Sequence, residues 1–348
     1  MNTIEINPNV KDCLRKYPNS MSILQNIDIS NHYTPIINWI RKDSGLIYTI
    51  PEIKSQSYLA LFDIDWTVTY AQKKMLNWDS DDIHIIPGRL ETIANVFKKG
   101  YTIIFVTNQL ASTPKTQQQK MERVANFLIK LGIPSYAFMS TAKDKYRKPN
   151  IGIWEKIQTI IPIIDKAFYV GDAMGRPQDF SDSDKEFAVG AGIPYYTPEE
   201  FFPQTPAITL PKGKSMVIMV GMPGSGKSTY ANTKLVPKGY NHISRDKLGG
   251  NKDKFMKAIN KSVKDGVEDI VVDATNPTLK EREILYKLAQ DNGYTITVLY
   301  FIMTGTGWNN LREKGKGKVP ALVYHVFFKN LDPPTESNTP GQVYLMIN

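Results

Sequence analysis

MVIMVGMPGSGKST, residues 216–229, is an apolar run, then a glycine-rich turn, then Lys-Ser-Thr leading into the helix-like YANTKL. Gly221, Gly224 and Gly226 let the backbone curl so that N–H groups face a phosphate, with Ser225 inside the curl. Lys227 has the reach for β- and γ-phosphates, Ser228 is a candidate magnesium ligand, and Thr229 begins the helix whose N-terminal dipole favours anions. The spacing G-x-x-x-x-G-K-[ST] in a strand–loop–helix context predicts a nucleotide-phosphate site. Downstream, IVVDATN (270–276) and TITVLYFIM (295–303) read as further strands separated by helix-like segments. That alternation predicts a doubly wound parallel sheet. Ser244-Arg245-Asp246 lies in the strand-like YNHISRDKLG, where a carboxylate can orient and deprotonate an attacking hydroxyl. Asp273 ends its strand as a second acidic, metal-ligating candidate. LREKGKGKVP (311–320) reads as a glycine-containing lid, with Arg312 as its phosphate clamp.

Upstream, the proline-containing TPAITLPKGKS (205–215) interrupts the pattern, and a domain boundary is placed near residue 212. Before it, YLALFDIDW (58–66) has the profile of a buried strand ending in carboxylates. Pro87-Gly88 opens the helix-like RLETIANVFKKG. TIIFVTNQ (102–109) is a strand, TQQQKMERVANFLIKLG a helix stopped by Gly132, AFMST (137–141) a further strand candidate and KAFYVGDA (166–173) a clear one. The fold class expected is α/β throughout: two doubly wound parallel-sheet domains, 37–212 and 213–348, behind a leader, 1–36, of unassigned role.

Each polar cluster of the first domain falls at the carboxyl end of a strand, where such sheets place their ligands. Asp63 and Asp65, two apart, point roughly the same way. With a magnesium ion between them to offset repulsion, one carboxylate can attack phosphorus and the other can carry a proton to the leaving oxygen. Thr107 and Asn108, followed by Gln109, offer a hydroxyl and amides to phosphate oxygens. Lys148, in Arg147-Lys148-Pro149, can neutralise the transferred group. Asp172, after Val170-Gly171, is a metal-ligand candidate, and Asp179 and Asp184 are further carboxylates within reach along the chain. Taken singly, Asp184 is as readily a helix cap or a surface ion pair.

This succession resembles the haloacid-dehalogenase phosphatase superfamily. The resemblance implies Asp63 as nucleophile, Asp65 as general acid/base, Thr107 and Lys148 as phosphate holders, and a magnesium site formed by Asp63, the Asp65 carbonyl and Asp172. Trp66 departs from the glycine usual at its position. The phosphate loop with S-R-D and D-x-T-N resembles 5′-hydroxyl polynucleotide kinases, which implies Asp246 as base, Arg245 and Asn276 as substrate contacts, and Ser228 with Asp273 at the metal. Both together resemble the bifunctional polynucleotide kinase 3′-phosphatases, from about Trp39 through Leu331-Asp332-Pro333-Pro334-Thr335. The resemblance implies two reactions at DNA ends: removal of a 3′-phosphate and ATP-dependent phosphorylation of a 5′-hydroxyl. Animal relatives carry an N-terminal phosphopeptide-binding domain, for which residues 1–36 are too short. The family's lid holds several arginines, where this chain has lysines and Arg312.

The charge agrees with a polyanionic partner. The net charge is +9, and residues from 213 onward hold 19 Lys and Arg against 12 Asp and Glu, with 24 against 22 in the remainder. A solvated, lysine-rich surface would give the same count. Cys13 is the single cysteine, so the fold rests on no internal disulfide or multi-cysteine zinc site. No apolar run approaches membrane-spanning length, and MNTIEINPNVKDCLRKYPN lacks a signal-type core, so a nuclear or cytoplasmic, monomeric protein is expected. Two alternatives remain open on the residues alone: a small-molecule phosphatase/kinase fusion and an RNA-end enzyme.

Overall fold

The computed structural model describes residues 35–347 apart from 42–44, 53–54, 73–79, 178, 204–207, 209, 212 and 304–318. The leader therefore lies almost wholly outside the described residues, as do Arg312 and most of the expected lid. The chain divides into two compact units, Met1–Thr205 and Pro206–Asn348.

The first unit is built on a seven-stranded sheet in the order Ile40–Arg41, Leu46–Thr49, Ser135–Ser140, Tyr101–Asn108, Tyr58–Phe62, Lys166–Val170, Tyr195–Tyr196. The last five strands are mutually parallel, and Leu46–Thr49 adds antiparallel to Ser135–Ser140. That antiparallel edge was not legible in the sequence, because LIYT is too short to declare its partner. The central Tyr58–Phe62 strand is buried from Leu59 to Phe62, as a strand covered on both faces must be. Alternation sorts its side chains: Leu59 and Leu61 enter one apolar cluster, Ala60 and Phe62 the other. Helices Arg89–Lys98 and Pro114–Leu131 pack residues into the second cluster, and Gly152–Ile160 and Ser183–Ala191 into the first. Pro114–Leu131 starts with a reciprocal Thr113/Thr116 capping box and stops at Gly132, whose φ of 60° favours glycine. The register sets Phe62 beside Phe105 and Val170. Asp63, Asn108 and Gly171-Asp172 therefore emerge at the carboxyl ends of three neighbouring strands.

The second unit holds a five-stranded, all-parallel sheet in the order Asn241–Ser244, Asp269–Asp273, Ser215–Gly221, Thr295–Ile302, Gln342–Ile347. Ser215–Gly221 is central and buried along its length. Helix Lys252–Lys264 follows the second strand in the chain, and Leu279–Asp291 precedes the fourth. The strand at 342–347 extends an edge that the sequence reading ended at residue 303. Ser244 closes its strand, so Asp246 stands in a short 3₁₀ turn, Asp246–Leu248, rather than in a strand.

Candidate active sites

In the first unit the chain leaves Phe62 with the Asp63 N–H donating to the Val170 carbonyl at 2.9 Å. It then turns back on itself: the Val68 and Thr69 amides both donate to the Ile64 carbonyl, and the Trp66 amide to the Thr69 carbonyl. Trp66 completes this turn at φ 67°, the left-handed region that favours glycine. A non-glycine residue there carries a steric cost that the turn must hold in place.

Lys148 is the hub. Its buried Nζ lies 2.7 Å from Asp63 Oδ1, 2.7 Å from Asp184 Oδ1, 2.7 Å from the Tyr169 hydroxyl and 2.8 Å from the Val106 carbonyl. Tyr169 in turn donates to Asp184 at 2.8 Å. Burial opposes the charge on Lys148, but Asp184 and Asp63 prevail and hold it above the ordinary lysine range. Asn108 fixes the loop beneath: its amide donates to the Lys148 carbonyl and accepts from the Lys148 N–H, both at 3.0 Å. Its side chain is thereby committed to the loop backbone, while the Thr107 hydroxyl accepts from Gln109 Nε2 at 2.9 Å.

Asp63, Asp172 and Asp184 each bring a carboxylate oxygen within 4.8 Å of one another. Burial, with the charges of Asp184 and Asp65 adding and Lys148 opposing, pushes Asp63 up to about 7. Removal of water from Asp172, followed by repulsion from Asp63 and Asp184, raises it well above the carboxylate range. One lysine therefore leaves negative charge uncompensated, and hard oxygen donors around it suit a hard divalent cation. Asp63 and Asp172, expected at one metal site, lie side by side in the structure. The structure adds Asp184, seated against Gly171 so closely that a Cβ there would fall 2.8 Å from the Asp184 Cβ. Asp179 is not in the group: it accepts from the Met174 and Arg176 amides at 3.0 and 3.1 Å and ties down the loop that carries Asp172.

In the second unit Gly221 stands at φ 153°, where a Cβ would meet the Phe301 carbonyl at 2.8 Å and Ser225 Oγ at 2.9 Å. Gly224 (φ 79°) and Gly226 (φ 88°) bend the loop onward into the helical turn Lys227–Tyr230. Lys227 Nζ donates to the Gly221 and Met222 carbonyls at 2.9 and 2.7 Å and to Ser225 Oγ at 3.3 Å, so it lies across the mouth of the loop. Burial, offset in part by Asp273 and Asp246, lowers its pKa to about 8. Thr229 is exposed on the first turn. Ser228 Oγ donates to Asp273 Oδ2 at 2.7 Å, which brings the two expected metal ligands together. Arg245 takes its Nε to the Gly250 carbonyl at 2.9 Å and its backbone N–H to the Asp273 carbonyl. Asp246, exposed, contributes to the charge felt by Lys227. Asn276, at φ 41°, is buried with its amide on the Met219 carbonyl at 2.8 Å, which anchors the strand end beside the loop.

Two family models match the chain: polynucleotide kinase 3 phosphatase over residues 58–202 and an AAA domain over residues 216–316. The chain carries a polynucleotide kinase 3 phosphatase domain followed by an AAA domain. A putative bifunctional polynucleotide phosphatase/kinase of Acanthamoeba polyphaga mimivirus is 29% identical over 87% of this chain and 88% of its own. The bifunctional polynucleotide phosphatase/kinase of Schizosaccharomyces pombe is 28% identical over 73% of this chain and 70% of its own. An uncharacterised 20.8 kDa protein of Autographa californica nuclear polyhedrosis virus, 31% identical, aligns with 44% of this chain and 90% of its own length. The phosphatase match falls on the first, mostly parallel α/β sheet and the AAA match on the second, all-parallel one.

Several residues of the family-type sites escape a sequence reading. Arg123 lies fully buried on the long helix yet reaches Asp65 Oδ1 at 2.8 Å; the charge inside MERVANFLIKL was its only signal. Tyr169 looks like an ordinary strand aromatic in KAFYV. His242 sets Nε2 2.9 Å from Asp273 Oδ2 and Nδ1 3.2 Å from Asn232 Oδ1, contacts that only the strand order and the helical turn create.

Proposed function

We propose that this chain heals nucleic-acid ends, with a 3′-phosphatase domain (37–212) and a 5′-hydroxyl kinase domain (213–348), on DNA in strand-break repair. The observation that supports this reading is the presence of two phosphate-transfer sites in separate units of one chain: the carboxylate–lysine cluster around Asp63 and the phosphate loop around Lys227 with its Ser228–Asp273 pair. The basic kinase half suits a polyanionic substrate. Among the described residues no helix is long and apolar enough to cross a membrane.

In the phosphatase, an Asp63 carboxylate oxygen attacks phosphorus and the bond from phosphorus to the 3′ oxygen breaks. Asp65 gives its proton to that oxygen. Asp65 then takes a proton from water, whose oxygen attacks phosphorus and breaks the Asp63 O–P bond, releasing inorganic phosphate and restoring the carboxylate. Lys148 offsets charge on the transferred group, and Thr107 orients it. Asp63, Asp172 and Asp184 would hold Mg²⁺, which supplies a positive charge to screen the phosphate. In the kinase, Asp246 accepts the proton of the 5′-hydroxyl as its oxygen attacks the γ-phosphorus of ATP, and ADP leaves. Lys227 carries the β- and γ-oxygens, Ser228 and Asp273 would hold a second Mg²⁺, and Arg245 orients the acceptor strand.

A duplex with a nick bearing 3′-phosphate and 5′-hydroxyl ends tests both halves. With Mg²⁺ and labelled ATP, loss of the 3′-phosphate and label at the 5′ end are expected on one gel. No change at either end, with hydrolysis of small phosphate esters intact, would refute the nucleic-acid reading.

Metal binding to the Asp63 cluster should be proton-linked. The folded pKa of Asp63, about 7, lies above its ordinary 3.8, so the stability it contributes is full below 3.8 and lost as pH rises through about 7. A cation binds the ionised form and offsets that loss. The rise in Tm produced by Mg²⁺ is therefore expected to grow between about pH 6 and 8 and then level. Asp63→Asn should reduce the growth, leaving the share that belongs to Asp172; a Tm rise that stays constant with pH in the wild type would count against Asp63 as a ligand.

A further inference from the structure

Arg123 is a buried charge that the reaction above leaves unused. It sits in the middle of Pro114–Leu131 with no exposed surface, among Met121, Val124 and Phe127 of the apolar cluster. A guanidinium there is harder to bury than an aliphatic side chain of similar volume. Packing alone gives no reason for it.

Its contact does. Arg123 Nη1 donates to Asp65 Oδ1 at 2.8 Å, and Gln109 Nε2 donates to Asp65 Oδ2 at 2.6 Å. Gln109 is itself 3% exposed. The two donors come from different elements, the long helix and the end of the Tyr101–Asn108 strand, and they grip both oxygens of a side chain that is 24% exposed. A carboxyl group otherwise turns through a broad terminal torsion. Held at both oxygens by buried groups, it has one orientation.

We propose that Arg123 and Gln109 are positioning residues that hold the Asp65 carboxyl in the orientation needed to protonate the leaving 3′ oxygen. This rests on the phosphatase reading above. Proton transfer is steep in geometry, and a sugar alkoxide leaves only with a proton, whereas nitrophenolate leaves without one. Loss of the clamp must therefore harm the oligonucleotide reaction far more than the aryl ester reaction. A residue that merely stabilised the fold would harm both alike.

The experiment measures kcat/KM, which covers the steps up to departure of the leaving group. The substrates are a 3′-phosphorylated oligonucleotide and p-nitrophenyl phosphate, with wild type, Arg123→Met and Gln109→Met. In each variant the ratio of oligonucleotide to aryl ester kcat/KM is expected to fall about 30-fold or more. A ratio within about threefold of wild type in either folded variant overturns the inference. Gln109→Met leaves the helix core untouched and decides alone should Arg123→Met fail to fold. A wild type inactive on both substrates overturns the phosphatase reading and this inference with it. An active wild type with an unchanged variant ratio overturns this inference alone.

Discussion

Asp63→Asn is expected to lower 3′-phosphatase turnover by at least about 10³-fold while 5′-kinase activity stays at the wild-type level. An amide oxygen is a poor nucleophile for phosphorus, and Asp184, the other carboxylate on Lys148, comes from a helix and not from the end of the Tyr58–Phe62 strand. The fold should tolerate the change. Asp63 is buried beside Asp184 and Asp65, and its ionised form is opposed first by burial. Asparagine keeps the shape, removes one of the repelling charges and leaves Lys148 its pairing with Asp184. The variant should therefore melt at or above the wild-type temperature at pH 8 without Mg²⁺. Turnover, measured on the nicked duplex with the kinase reaction as internal control, and a melting curve check both parts. Parallel loss of both activities in a folded variant would sink the two-site model.

Lys227→Ala is expected to reduce 5′-phosphorylation by about 10²-fold or more and leave the phosphatase untouched. The lysine carries the positive charge that moves with the γ-phosphate in a loop whose other donors are neutral N–H groups. In the structure its ammonium is pinned to the Gly221 and Met222 carbonyls, so ATP must draw it off them. Alanine frees the loop from that contact but takes a donor from the Gly221 and Met222 carbonyls, the latter keeping the Ser225 N–H, at about 1–3 kcal/mol. A modest drop in stability with a large drop in kinase rate is the signature to look for. Single-turnover phosphoryl transfer from labelled ATP reads the rate. A variant that kept most of its kinase activity would remove Lys227 from the mechanism.

Much of this molecule could be read along the chain. Runs such as YLALF and MVIMV declare buried strands because both faces of a parallel sheet are covered, and polar clusters at their ends mark where ligands sit. Asp63, Lys227 and Ser228 were legible for that reason: each lies in a short segment whose local geometry suffices to place it. Asp184 was not, since it reads equally as a helix cap. It enters the first site only because Gly171 leaves room for it beside Lys148. Asn108 and Asn276 looked like groups offered to ligand, and the folded backbone claims their amides.

The sequence by itself determined the central strands of the two sheets, the order of the two domains and the placing of Asp63 and the glycine-rich loop at strand ends, because these depend on periodicity and on contacts within a few residues. Tertiary structure decided which distant side chains complete each centre: Asp184 and Tyr169 on Lys148, Arg123 on Asp65, His242 on Asp273. Those pairs are separated by up to 58 residues in the case of Arg123 and Asp65. They are set by strand order and helix packing, through which a charge hidden in an apolar helix finds a partner that no local pattern names.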